Sequence, residues 1–478
     1  MEGDRSVAES LTYSKEVPVA ATADVLVVGG GPAGIAAAVA SGRNGARTVL
    51  VERFGFLGGN ATAGLVGPFM TSYSLDGKEQ LIRGVFEELV QRSEELGGAI
   101  HPSKVEAGSE FSGFISYGHA RVTPFDPEAV KLVAAEMCLE AGVELRLHTF
   151  MVDTLVEDGA VRGVIVASKS GLQAIRATVT VDCSADADIA ARAGVPFHQG
   201  RDEDGLTQPM TLFFRIANVD DERVKQYIAD HPEDPRPFAS VVRAARERDE
   251  FPIPREGIGL YRTPQPGIWR INTTRLQRLD GTDVLDLTRA EIEGRRQVMF
   301  LLRFFRERCP GLENCTLLDT AATIGVRETR RIVGEYTLTA DDLASGREFE
   351  DVIALCGYPI DIHSPTGSGG TMTPQHFEMA NSYQIPYRCL VPVDVDGLLV
   401  AGRCVSATHE ALGAIRVMPP AFAMGQAAGT AAALAVAEGV SPRRVPIRWL
   451  QETLVERGAY LGDQVTREVR EQATQSTP

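Results

Sequence analysis

Asp24-Val-Leu-Val-Val-Gly-Gly-Gly-Pro-Ala-Gly-Ile-Ala-Ala-Ala-Val-Ala-Ser-Gly-Arg43, followed after three intervening residues by Arg47-Thr-Val-Leu-Val-Glu52, is the stretch that decides the fold. Residues 24–28 predict a short buried strand, the glycines a turn, residues 33–43 a helix of small side chains, and residues 47–52 a second buried strand. The result is a β-α-β unit of the expected size. Gly29 makes the tight turn, Gly31 lets backbone approach a pyrophosphate, and Gly34 lets helix and strand pack closely. Pro32 and Ala33 open the helix, whose N-terminal amides suit phosphate. Glu52 ends the second strand, where a carboxylate accepts from an adenosine ribose and repels a 2′-phosphate. The unit is therefore expected to bind a dinucleotide, with NADP disfavoured.

The far end of the chain says which one. Residues 397–430 run from the strand Gly397-Leu-Leu-Val-Ala401 through a Gly402-Arg403 turn and a loop to a Gly/Ala-rich helix over 420–438. This resembles the second FAD motif of flavoproteins with two dinucleotide-binding-type folds. A helix start here would stabilise negative charge on a reduced flavin. Gly58-Gly-Asn-Ala-Thr62, Asp182-Cys-Ser-Ala-Asp-Ala-Asp188, Gly325-Val-Arg-Glu-Thr-Arg-Arg-Ile332, Asp361-Ile-His363 and Ile385-Pro-Tyr-Arg388 complete the pattern. From about residue 24 to 440 the chain resembles the FAD-dependent oxidoreductase family, whose members are mostly uncharacterised.

The resemblance implies an α/β fold: a Rossmann-like FAD-binding domain of the glutathione-reductase and p-hydroxybenzoate-hydroxylase kind, with an inserted α+β substrate domain. The expected partition is 20–75, 125–194 and 386–440 for the FAD-binding domain, 76–124 and 195–385 for the substrate domain, and 441–478 for a C-terminal helix and polar tail. By resemblance Glu52 and Arg53 hold the adenosine end, and Gly59 and Asn60 line the phosphates or flavin. Met151 lends backbone to the adenine, and Asp186, Gly402 and Arg403 stand near the ribityl chain. Related flavoproteins often carry Thr-Gly or Ala-Gly where this chain has Ser184-Ala185.

Between these ends, Asp126-Pro127-Glu128 starts a helix with Val130, Val133, Ala134 and Met137 on one face. Residues 79–97 have helical periodicity, 54–72 read as an irregular loop, and 143–181 as strands punctuated by Asp158-Gly159 and Ser170-Gly171. A long helix is expected to begin at a Thr288/Glu291 capping box and stop near Pro310-Gly311. The tail beyond Thr466 is polar and expected to fray.

Composition narrows the classes. With 48 basic and 64 acidic side chains, the net charge of −16 disfavours nucleic acid and anionic membranes. Residues 1–23 lack a secretory apolar stretch and no membrane-spanning helix is expected, so a cytoplasmic enzyme is the default. The seven cysteines form no Cys-x-x-Cys pair and are read as buried thiols, and no metal-ligand spacing is present.

For the reaction, His409 beside Glu410 is a candidate to take a substrate proton. Arg416 is a candidate for a substrate carboxylate or the flavin pyrimidine oxygen. His363 sits in a loop able to face the ring, and His376 and Tyr383 are weaker candidates. Of the run Arg327, Glu328, Arg330 and Arg331, either surface pairing or a reach by Arg327 or Arg330 into the active site is consistent. The expected activity is dehydrogenation of a small polar substrate bearing a hydroxyl or amine, by hydride transfer to flavin N5, with oxygen or an electron-transfer partner as acceptor. Oligomerisation stays open. The alternatives are an NAD(P)H-dependent flavin monooxygenase and a flavin-containing binding protein or non-redox lyase. No second glycine fingerprint lies between 195 and 385, which disfavours a dedicated NAD(P)H domain, and the Trp-x-Trp-x-Ile-Pro pattern of flavin halogenases is absent.

Overall fold

The computed structural model describes residues 10–370 and 378–475. In chain order the elements that build the site are β1 (Val19–Val28), α1 (Pro32–Arg43), β2 (Thr48–Val51), α2 (Pro127–Glu140), β3 (Glu144–Arg146), β4 (Gly171–Asp182), α3 (Val284–Arg308), β5 (Leu398–Val400), α4 (His409–Ile415) and α5 (Met418–Glu438). A seven-stranded sheet carries the order β3-β2-β1-β4, then strands Ala160–Ser168 and Phe150–Glu157, with β5 pairing β4 on its other side. The pairs β3–β2, β2–β1, β1–β4 and β4–β5 are parallel, and the two added strands are antiparallel. The fold is thus the expected α/β dinucleotide-binding type.

Register explains where a ligand goes. Val28 stands opposite both Val51 and Asp182, and Val400 opposite Asp182, so four strands end at one level. In a parallel sheet, the crevice outside such carboxyl ends is the ligand site. β1 and β2 are fully buried over 25–28 and 48–51, as strands covered on both faces must be.

The helix α5 lies on α1 at backbone distance. A Cβ on Gly425 would fall 2.1 Å from the carbonyl oxygen of Ala33, and one on Gly429 2.1 Å from that of Ala37. Four-residue spacing puts both glycines on one face, opposite Ala33 and Ala37 of α1, also four apart. By length and composition α5 would pass as a membrane span, but most of it is buried in this core.

Most side chains of the sheet, α1, α2 and α5 share one core, and residues 210–324 build a second around Phe214, Trp269, Leu301 and Phe305. The second core is smaller than the expected substrate domain. Val85, Phe86 and Leu89 from the 76–124 segment pack into the first core, as do Leu338, Ile353 and Ile385. Apolar faces were legible in the sequence, but not which core would receive them.

Four local expectations differ from the structure. α3 starts at Val284, capped by Asp283, which accepts from the amides of Leu285 and Asp286. Thr288 lies inside the helix and donates to the Val284 carbonyl, while Glu291 accepts from the Ile324 amide. An aspartate five residues earlier outcompetes the capping box. The tail also does not fray at Thr466, since a helix runs over Asp463–Gln475. The expected helix over 79–97 is shorter, Val85–Glu95, and the helix over 420–438 begins at Met418. All seven cysteines are buried and free. Among the described residues no three His, Cys, Asp or Glu side chains group as a metal site.

Candidate functional site

A cleft with about 1780 Å³ of space opens outside the aligned strand ends. It is lined by Gly29, Gly31, Pro32, Ala33, Glu52, Arg53, Gly59, Asn60, Met151, Asp186, Gly402, Arg403 and Arg416, so these expected cofactor residues are brought together. Gly34 is not at the surface. A Cβ there would lie 1.7 Å from the Gly29 carbonyl oxygen, which makes it the close-packing glycine. Gly29 has φ +102°, and its Cβ would meet the Cys183 carbonyl at 2.3 Å. Gly31 faces the opening: the nearest atom to a Cβ there is the Gly59 Cα, 3.8 Å away. As N-cap of α1, Gly31 leaves the first-turn amides without a side-chain partner.

Glu52 is buried and braces the turn. The Gly30 amide donates to Oε2 at 2.6 Å and the Phe54 amide to Oε1 at 2.8 Å. Burial raises its pKa, and these two bonds oppose the rise. Each carboxylate oxygen keeps a second lone pair. Arg53 is exposed over the Phe54 ring. Asp186 accepts from Arg403 Nη2 at 2.8 Å and from the Thr329 hydroxyl at 2.7 Å, which fixes the cleft-lining Asp186 and Arg403. The departure at Ser184-Ala185 has a backbone signature: Ala185 has φ +71°, the left-handed region that favours glycine.

A second cavity, about 720 Å³, adjoins the cleft and shares Asn60, Val326, Arg403, Arg416 and Met418 with it. It adds Thr211, Asn272, Arg327, Tyr358, Asp361 and His363. Arg327 Nη1 donates to the Pro209 carbonyl at 2.6 Å and to the Thr211 hydroxyl at 2.7 Å, and Nη2 to Asn272 Oδ1 at 3.4 Å. Burial, then the charge of Arg416, pull its pKa well below the usual arginine value. The segment 325–332 is therefore no solvated charge run.

Asp361 collects donors on one oxygen. Tyr358 donates to Oδ2 at 3.2 Å, Arg416 Nη2 reaches it at 3.4 Å, and His363 Nε2 stands 3.5 Å away. Among the described residues Oδ1 has no such partner. Burial works against its charge, but His363, Arg416 and Arg327 outweigh it and hold the carboxyl well below the usual range. Arg275 Nη2 donates to His363 Nδ1 at 3.1 Å. A guanidinium cannot accept, so the histidine proton belongs on Nε2. Burial pushes the His363 pKa down to about 3, against Asp361, so the ring is neutral near pH 7.

His409 lines neither cavity. It begins α4, and its Nδ1 lies 2.9 Å from Oε1 of the fully buried Glu328. Glu328 also pairs with the buried Arg331 and accepts from the Gln208 amide at 3.2 Å. Gln208 Oε1 in turn accepts from the His363 amide at 3.3 Å. His409 thus belongs to a buried brace that reaches the cavity-lining His363 only through Glu328 and Gln208, because α4 turns its first residue inward. Tyr383 is buried and donates to the Tyr358 carbonyl at 2.8 Å, and Arg330 reaches the Asp186 carbonyl and Asp188 rather than the second cavity. His376 lies outside the described residues. Asp361, Tyr358, Asn272, Thr211 and Arg275 were not singled out from the sequence. Only Asp361 had a signal, its place two residues before His363.

A family model described as FAD dependent oxidoreductase matches residues 24–454. Over 143 residues the chain is 32% identical to the thiamine thiazole synthase of Aeropyrum pernix, a match spanning 30% of this chain and 43% of that protein. Solved structures to which the chain is similar include a geranylgeranyl bacteriochlorophyll reductase-like protein from Thermoplasma acidophilum (TM-score 0.43, 15% identity, 94% of this chain and 91% of that one). The p-nitrophenol 4-monooxygenase of Pseudomonas putida gives a TM-score of 0.43 at 14% identity, over 96% and 91% of the two chains.

Proposed function

Because this chain belongs to the FAD dependent oxidoreductase family and FAD is its cofactor, we propose that it dehydrogenates a small polar substrate held in the cavity beside Arg416 and Met418. The observation that carries this reading is the continuity of the cofactor cleft with a second, polar cavity holding one strongly ionised carboxylate, Asp361. The cleft residues fit the group: an uncapped helix start at Gly31, a glycine open to it, and a buried carboxylate at Glu52. Gly31, Pro32 and Ala33 would hold the pyrophosphate, Glu52 and Arg53 the adenosine ribose, and Met151 the adenine. Gly59, Asn60, Asp186, Gly402 and Arg403 would hold the remainder.

When bound, FAD supplies a hydride acceptor at flavin N5. The protein's part is to orient the carbon that gives up hydride and to receive the proton of its hydroxyl or amine. Asp361 Oδ1 is the acceptor for that O–H or N–H, since Oδ2 is already occupied. His363, with Nδ1 engaged by Arg275, orients Asp361 as a donor and does not take the proton. Arg327 and Arg416 bind the polar remainder of the substrate, and His409 positions the loop through Glu328.

The test is anaerobic mixing of purified holoenzyme with pools of small hydroxy and amino compounds while the visible flavin absorbance is followed. Bleaching by one pool, lost in Asp361→Asn, is expected. Rapid bleaching by NADPH without any substrate would overturn the dehydrogenase reading in favour of a monooxygenase.

A further inference from the structure

The second cavity contains more positive charge than its own carboxylate balances. Its lining guanidiniums are Arg327, Arg403 and Arg416, and its lining acid is Asp361. Arg403 is matched by Asp186 at 2.8 Å, and Arg416 shares Asp361. Among the described residues Arg327 meets only neutral oxygens, those of Pro209, Thr211 and Asn272. Behind it Arg275 bonds backbone carbonyls and His363, adding a further cation.

A largely desolvated cation without a counter-ion is costly, and Arg327 is one, partly buried in a chain of net charge −16. The protein surrounding the cavity has ample acid elsewhere, so the excess is local to this site. A second observation points the same way. The side chain of Arg416 is only 10% exposed, yet its Nε is buried with no hydrogen-bond partner among the described residues. This guanidinium lines both cavities, and among the described residues its buried Nε–H is given no acceptor. Guanidinium geometry matches a carboxylate in particular, through paired N–H donors.

We propose that the substrate carries a carboxylate, held between Arg327 and Arg416, so that its hydroxyl or amine is presented to Asp361. This deepens the dehydrogenase reading and rests on it for the choice of cavity. The charge argument also separates roles inside the site. The two guanidiniums anchor the acid end, and Asp361, kept ionised by its neighbours, repels that end and accepts from the neutral or cationic one. A substrate lacking a carboxylate would leave Arg327 uncompensated.

The experiment is a titration of the oxidised holoenzyme with butyrate and with butyramide, its neutral isostere, read by flavin difference spectra and by calorimetry. Butyrate is expected to saturate and butyramide to bind about tenfold or more weaker, with Arg327→Met and Arg416→Met each removing a similar factor from butyrate alone. Equal affinity for acid and amide would overturn the proposal. So would butyrate binding that both variants leave unchanged, or equal competition by chloride. If either variant loses FAD, the acid–amide comparison on the unaltered enzyme decides by itself. Binding is read without turnover: butyrate that saturates in an enzyme no substrate pool can reduce would count against the dehydrogenase reading and not against the anion site.

Discussion

Asp361 and His363 lie two positions apart, and each sets the protonation of the other. With His363 neutral down to about pH 3 and Asp361 held ionised below the usual carboxylate range, neither titrates between about pH 6 and pH 8. The rate of flavin reduction at saturating substrate is therefore expected to be flat across that interval. A limb there that disappears in His363→Gln would show that the histidine takes the proton. The Glu328 site makes a separate prediction. Glu328 and Arg331 are 0% and 2% exposed, so removing one charge strands the other. Glu328→Gln is expected to cost about 3–5 kcal/mol in urea unfolding. His409→Gln is expected to lower stability while the folded fraction still reduces its flavin. Loss of flavin reduction with stability intact would return His409 to the catalytic group. From the sequence, Arg327 and His363 were legible as candidates because charged groups next to glycines and prolines in loops suggest sites. The buried fate of Glu328 was not, because nothing local distinguishes a buried charged run from a solvated one.

Among elements, the contact between α1 and α5 decides whether the glycine turn can form. The helix α1 presents Gly31 and its amides to the cleft, and α5 holds it in place through backbone contact at Ala33 and Ala37. In Gly425→Ala a methyl carbon would meet the Ala33 carbonyl oxygen at 2.1 Å, and backbone cannot give way as a side-chain end can. The expected loss is about 1–3 kcal/mol in stability, together with weaker FAD retention, since Ala33 adjoins the pyrophosphate turn. Normal FAD affinity in a folded Gly425→Ala protein would separate helix packing from cofactor binding. The strand–turn–helix–strand beginning was readable from spacing alone. The start of α3 was not, because Asp283 and Thr288 are both competent caps and only the packing of the preceding turn chooses between them.

At the scale of the molecule, the cofactor cleft is shared by the two cores. Gly29, Glu52 and Gly402 reach it from the first, while Leu287, Ile324 and Val326 reach it from the second. A ligand that binds only the folded form stabilises by RT ln(1 + [L]/Kd), about 2.7 kcal/mol at a hundredfold excess over Kd. A ligand touching both cores also couples them. Calorimetric unfolding is expected to give one transition with FAD bound, and a broadened or split one at lower temperature after the cofactor is stripped. Identical single transitions with and without FAD would mean that the cores do not depend on the ligand for their union.

The sequence by itself determined the dinucleotide-binding fold, and the residues it singled out for the cofactor line one cleft. Strand hydrophobicity, glycine spacing and a carboxylate at a strand end act over about thirty contiguous residues, and the chemistry of phosphate binding leaves few alternatives. Tertiary structure alone decided the chemistry of the second cavity. Asn60, Thr211, Asn272, Arg327, Asp361 and Arg416 come from distant segments, and each is polar for reasons that local pattern cannot separate. Only long-range packing establishes which of these groups lie together, which oxygen of Asp361 is occupied, and which guanidinium lacks a carboxylate partner among the described residues. Burial and proximity set their charge states and hydrogen bonds, and both are properties of the folded chain.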